Sequence, residues 1–162
     1  MATATVVDTD RGWRRMLEQV ASAARGPTVK IGVIGSEAGI SREDGIAQAA
    51  LASVHEYGTR DGRIPERAPI RRAVDGHRLE IEALQAKLWR QVLAGTLTHD
   101  QALSILGVHV KGKIQSGIEA GLEPDIADST KEDKTARGLA GPHKPLIETG
   151  SLKNAYSWEL DR

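Results

Sequence analysis

Apolar residues recur at helical spacing in three stretches of the chain and alternate in two others. Trp13, Met16, Leu17, Val20, Ala21 and Ala24 trace one helical face, with Asp8 or Thr9 placed to cap it and Gly26-Pro27 to end it. From Pro69, the positions Ile70, Val74, His77, Ile81, Leu84, Leu88 and Val92 form one seam, which predicts a single long helix closed by Gly95. Pro69 suits the first turn of that helix, because its missing N–H would have no helical partner there. Thr98 and Gln101 have the spacing of a capping box. The seam Ala102, Leu103, Leu106, Val110, Ile114 and Ile118 then predicts a second helix, closed by Gly121. The brief turn between the two helices implies an antiparallel pair.

The alternating stretches predict strands. Thr28 to Ile34 places Val29, Ile31 and Val33 on one face, and Ala155 to Leu160 alternates as a last strand. Residues 46–57 are mixed, since alanine favours helix while Leu51 to Tyr57 suits a strand beside Thr28–Ile34. The expectation is a short helix running into a short strand. Thr149-Gly150-Ser151-Leu152 predicts a turn or a single helical turn. Three polar or weakly patterned stretches are expected to be mobile: an N-terminal arm (1–8), a glycine-rich loop (35–45) and an excursion (123–144). The last of these carries the charge run Lys131-Glu132-Asp133-Lys134 and is expected to be solvated, with at most one helical turn. The sum is one α+β domain. A small antiparallel or mixed sheet is packed against an N-terminal helix and a long antiparallel helix pair.

Composition narrows the function classes. A length of 162 residues suits a single domain with a real core, and 22 basic against 22 acidic residues give no global field for nucleic acid or membrane surface. The absence of cysteine removes disulfides, thiolate chemistry and cysteine-ligated zinc. No apolar stretch approaches the roughly 20 residues of a membrane-spanning helix. No secretory signal is visible, so a soluble protein made in the cytoplasm is expected. Phenylalanine is absent, and the aromatics are Trp13, Tyr57, Trp89, Tyr156 and Trp158. The core must therefore be mainly aliphatic, and a platform for stacking bases is hard to assemble.

Catalytic and ligand patterns mostly fail. Gly32, Gly35 and Gly39 follow a strand but match neither the dinucleotide nor the phosphate-loop spacing. His55-Glu56 begins like H-E-x-x-H, yet Thr59 stands where the second metal ligand belongs. His77 and His109 fall on helices expected to face each other. Partly buried histidines with ordinary hydrogen bonds outweigh a shared metal there. No serine sits in a nucleophile motif, and Glu80 and Glu82 point to different helix faces. Neither a catalytic group nor a cofactor is expected. Arg60, Arg63, Arg67, Arg71, Arg72 and Arg78 make the one basic concentration, which suits a protein partner better than DNA.

The strongest signal is His55-Glu56-Tyr57-Gly58-Thr59 followed by Ile64-Pro65-Glu66-Arg67 and Arg71. It resembles the H-E-[FY]-G-T … I-P-x-R-P-F-L-R signature of tailed-phage morphogenesis proteins, the tail-completion, head–tail joining and minor tail components of phages and Mu-like prophages. The resemblance continues in order through Ala102-Leu103, Leu106-Gly107, Lys113-Ile114, Pro124, Ser129-Thr130 and Lys134. It ends at Pro145-Leu146-Ile147-Glu148-Thr149-Gly150-Ser151-Leu152 and so spans about the C-terminal two-thirds of the chain. Two positions depart from it. Arg67-Ala68-Pro69-Ile70-Arg71 lacks the aromatic and moves the proline one place, and Ala155 replaces a serine often found after the last motif.

The resemblance implies a virion structural protein of the neck, assembled in the host cytoplasm as a ring, commonly a hexamer. Such a ring sits between the portal or head-completion side and the tail terminator or tail tube, with DNA passing through unbound. Tail completion or head–tail joining ranks first and tail terminator second. The alternative is a DNA-contacting packaging or assembly factor that leaves before the virion is finished, and an enzyme ranks third. The candidate contact residues are Tyr57, Arg67 and Arg71, with Leu146, Thr149 and Leu152. For Leu146 and Leu152, plain core burial competes with that role.

Overall fold

The computed structural model describes residues 10–24, 26–40, 45–139, 146 and 150–161. Among these, seven α-helices surround one two-stranded antiparallel sheet, an α+β architecture with helices packed on the sheet. The helices are α1 (Trp13–Ala24), α2 (Gln48–Tyr57), α3 (Pro69–Gly76), α4 (Arg78–Leu93), α5 (His99–Ala120), α6 (Asp128–Ala136) and α7 (Ser151–Ala155). The strands are β1 (Thr28–Val33) and β2 (Tyr156–Asp161), and none of the helices is long and apolar enough to cross a membrane. The expected arm (1–8) lies outside the described residues.

Helix α5 is the spine. Its start is the capping box the sequence predicts: Thr98 Oγ1 accepts from Gln101 N at 3.2 Å, and Gln101 Oε1 accepts from Thr98 N at 2.9 Å. The seam Ala102, Leu106, Val110, Ile114 and Ile118 is buried along its length, and Ile114 and Ile118 have no exposed surface. Burying each isoleucine contributes about 1.5–3 kcal/mol, so this stripe dominates the core. Apart from Tyr156 that core is aliphatic. The inner face of the sheet lies across α5, with Ile31 paired to Trp158, Val33 to Tyr156 and Val29 to Leu160. Gly107 makes this approach possible. A Cβ at that position would lie 2.8 Å from Trp158 Cδ2 and Cγ, so the indole rests where any other residue would project.

Four expectations need correction. The long helix from Pro69 is two helices, broken at His77. Gly76 is a poor helix former, and the His77 imidazole donates from Nδ1 to Ala73 O at 3.0 Å. That carbonyl is the acceptor the His77 N–H would use in a continuous helix, and the N–H turns to Asp75 O instead. Ahead of the break the seam shifts by one residue, so that Ala73 is buried while Val74 is exposed. Residues 46–57 form no strand, because α2 stays helical to Tyr57 and β1 takes its partner from the far end of the chain. The loop after Val33 begins with a 3-10 turn over Gly35–Gly39. Finally, the polar excursion contains the nine-residue helix α6 rather than one turn.

The peripheral helices are tied on by specific bonds. Asp10 Oδ1 accepts from Gly12 N at 2.9 Å and Arg14 N at 3.4 Å, capping α1 from within the described residues. Helix α1 leans on the end of α4, where Arg15 donates to Gly95 O at 3.2 Å. Helix α7 is pinned to α5 by Gln115 Nε2, which donates to Lys153 O at 3.1 Å, and by the Lys153–Glu119 ion pair at 2.7 Å.

Candidate functional site

The segment from α2 to α3 closes into a compact knot. Gly58 ends α2 with φ +73°, and its N–H donates to Val54 O at 2.7 Å. A Cβ on Gly58 would sit 2.9 Å from Glu66 N and 3.0 Å from Ile64 O, so the two arms of the loop can touch only at a glycine. Thr59 fastens the crossing, its N–H donating to Ile64 O at 2.9 Å and its Oγ1 accepting from Ile64 N at 2.9 Å. Further on, His55 O accepts from both Arg67 N at 2.9 Å and Ala68 N at 3.0 Å.

Glu56 holds the start of α3. No side chain of the α3 N-cap itself caps that helix, and Ala68, which occupies the N-cap, is left-handed at φ 47°. The buried Glu56 carboxylate supplies the missing acceptors: Oε2 from Ile70 N at 2.9 Å and Oε1 from Arg71 N at 3.1 Å. A carboxylate at a helix N-terminus gains both charge-assisted hydrogen bonds and the favourable end of the helix dipole. Pro69 fills the first position, where no N–H is needed, and is fully buried.

Arg67 is only 4% exposed, and its guanidinium faces inward. Nε donates to Pro124 O at 3.0 Å and an Nη to Asp125 O at 3.3 Å, tying the knot to the chain leaving α5. Burial pulls its pKa below the ordinary arginine value, and the Asp125 carboxylate opposes that shift. Arg71 lies at the surface instead. It pairs with Glu66 at 2.6 Å, and its guanidinium carbon stands 5.8 Å from the centre of the Tyr57 ring. That ring is 71% exposed. Tyr57, Arg71 and Glu66 thus stand on the outer side of the knot, while Glu56 and Arg67 face in.

The sequence candidates therefore divide. Tyr57 and Arg71 come together on the surface. Arg67 and Leu152 are buried in the chain's own fold, and Leu146 is half-buried against the core, so these three serve packing first. Thr149 lies outside the described residues. The arginine concentration is largely spent at home: Arg63 pairs with Asp61 at 3.2 Å, Arg71 with Glu66, Arg78 with Glu82 at 2.8 Å, and Arg67 with backbone carbonyls.

His77 and His109 do come to one region, with Glu80 beside them. Glu80 contacts Lys113 Nζ at 2.8 Å and lies 3.2 Å from His109 Nε2 without hydrogen-bond alignment. Among the described residues, no group of three or more histidine, aspartate or glutamate side chains is arranged to hold a metal.

Sequence reasoning missed Glu56 as a cap, Gly107 as a seat and the carbonyls of Pro124 and Asp125 as ligands of Arg67. Glu56 alone left a signal, because a carboxylate in the last turn of a helix opposes that helix's dipole and must be used elsewhere. Tyr156 is also unusual. It is fully buried, its hydroxyl has no hydrogen-bond partner among the described residues, and burial followed by the nearby Glu56 charge pushes its pKa far above the ordinary phenol range. Compared with known proteins, the chain matches no family model, no curated protein and no solved structure.

Proposed function

We propose that the chain is a structural protein of a tailed-phage neck, forming a ring between the head and the tail tube during virion assembly. Tail completion or head–tail joining is the favoured role. Signature residues separated by up to about seventy positions converge on one knot, in which Glu56, Gly58, Thr59 and Arg67 fix the backbone and Tyr57 and Arg71 are displayed. That convergence carries the proposal. The Glu56 carboxylate, the Thr59 hydroxyl and the Arg67 guanidinium are each held by hydrogen bonds to backbone groups, which suits a load-carrying joint.

The competing assembly factor would grip DNA through the arginine concentration. Four of its six arginines are bonded within the chain, which favours a channel wall over a DNA clamp. The test is the mass of the purified protein, alone and mixed with tail tubes. A ring in solution, or a monomer that becomes a ring on tube ends, supports the neck role. A monomer that ignores tubes and binds DNA with a steep salt slope overturns it.

A further inference from the structure

The sheet stops at two strands, which leaves β1 with an open hydrogen-bonding edge. In an antiparallel pair, alternate residues point their N–H and C=O groups away from the partner strand. Among the described residues, no backbone or side-chain group takes those of β1. Proteins guard such edges with proline, a bulge or a free charge. β1 has no proline and pairs residue for residue along its length, and its one charge, Lys30, is drawn across the sheet to Asp161 at 2.8 Å. β2, by contrast, carries the exposed Glu159. On the α5 side, Val29 and Ile31 are only half-buried, so the β1 edge leaves apolar surface open as well as backbone.

One stretch outside the described residues has the sequence of a strand. Ala2-Thr3-Ala4-Thr5-Val6 alternates apolar and polar positions, and with Val7 it contains neither glycine, proline nor charge. Four of the six residues 2–7 are β-branched. This is the pattern of a strand with one face on a core and the other in water, which is the situation of β1. Residues 41–44 are short and charged, and 140–149 are broken by Pro142 and Pro145.

The same stretch joins the described chain at the matching end of the sheet. Only Asp8 and Thr9 separate Val7 from Asp10, and the first turn of α1 lies over Leu93 and Ala94. Leu97, three residues further on, shares a surface with Leu160, whose partner on β1 is Val29. A strand that finishes at this end of β1 runs antiparallel to it. Six extended residues span about 20 Å, the length of β1 itself.

We infer that residues 2–7 lie along the open edge of β1 as a third, antiparallel strand of the same chain. Ala4 and Val6 turn to the α5 side beside Ile31 and Val29, and Thr5 stands opposite Lys30 on the solvent side. A two-residue link to α1 gives the chain's own arm a far higher effective concentration at this edge than the arm of any neighbour. The arm is then an edge guard, which keeps β1 from pairing with a strand of another copy.

The test is amide hydrogen exchange on the full chain with a matched pair of variants. Val6→Glu places a charge on the apolar side of the arm, so β1 amides should exchange about ten-fold faster or more, while α5 amides keep their rates. Thr5→Glu places the same group on the solvent side opposite Lys30, and β1 should exchange as in wild type. Equal effects of the two variants, or none from either, would overturn the inference.

As a second readout, the absence of native cysteine lets oxidation report the pairing. Thr5→Cys combined with Lys30→Cys should link within one copy and run as a monomer, while Val6→Cys combined with Lys30→Cys, on opposite faces, should stay unlinked. A covalent dimer from the first pair would assign the arm to a second copy. That result, or no link at all, would overturn the arrangement.

Discussion

The carboxylate of Glu56, in the last turn of one helix, accepts a hydrogen bond from the backbone N–H of Ile70 in the first turn of another, at 2.9 Å. Through this bond and its neighbour to Arg71, α3 can begin only where α2 has ended. Glu56→Gln keeps one acceptor and loses the charge. It should cost about 1–2 kcal/mol in urea unfolding, and Glu56→Ala about 2–3 kcal/mol.

Arg67 ties two distant segments through carbonyl oxygens. Arg67→Met should destabilise the protein by about 1.5–3 kcal/mol, the range for hydrogen bonds to a charged group. Amide exchange should accelerate over residues 125–136, whose anchor is lost. Arg67→Lys should recover little of this, because an ammonium cannot reproduce the planar fork.

Gly107 is a test of packing rather than of backbone freedom, since it lies inside α5. Helix propensity alone favours alanine there by about 1 kcal/mol. The Trp158 indole occupies the space, so Gly107→Ala should instead destabilise by about 1–3 kcal/mol. Trp158 fluorescence should shift to longer wavelength as the ring is displaced.

The Tyr156 hydroxyl is buried without a partner among the described residues, and its removal should help. Tyr156→Phe is expected to stabilise the protein by about 1 kcal/mol, read as a raised midpoint in denaturant. A loss of stability would reveal a hydrogen bond to that hydroxyl.

Lys113 donates to Glu80 and holds its carboxyl below the ordinary 4.5, and Lys131 does the same for Asp125 below 3.8. A carboxyl whose folded pKa is depressed stabilises the protein above its unfolded pKa, and that contribution disappears as pH falls through the folded value. Both groups are solvent-facing, so the effect is modest and weakened by salt. Glu80→Gln should therefore be slightly less stable than wild type at neutral pH, with the two curves converging as the pH falls below the ordinary 4.5 and through the depressed folded value.

Legibility in the sequence followed the range of the interactions. The α5 seam and its Thr98–Gln101 box are local, set by residues three or four apart, and both stand where periodicity places them. The break at His77 depends on one imidazole bonding its own helix, which the apolar pattern cannot register. The choice of β2 over the 51–57 segment as partner for β1 depends on a residue 107 seat for Trp158, which no local window contains. At the candidate site, sequence marked the knot as important, but the division of labour within it required three dimensions. Arg67 and Arg71 look alike along the chain, and one faces in while the other faces out.

The pairing of β1 with β2 joins residue 28 to residue 161. Tyr156 and Trp158, which fill the space beneath the sheet, leave the ribosome after everything they pack against. The growing chain can form α4 and α5 early, since their contacts are short-range, but the floor under α5 stays open until the last strand is made. A copy ending at residue 155 would lack half the sheet and both of those side chains. Folding of this domain is thus gated by synthesis of its last strand, so that the core under the sheet closes only once residues 156–161 have been made.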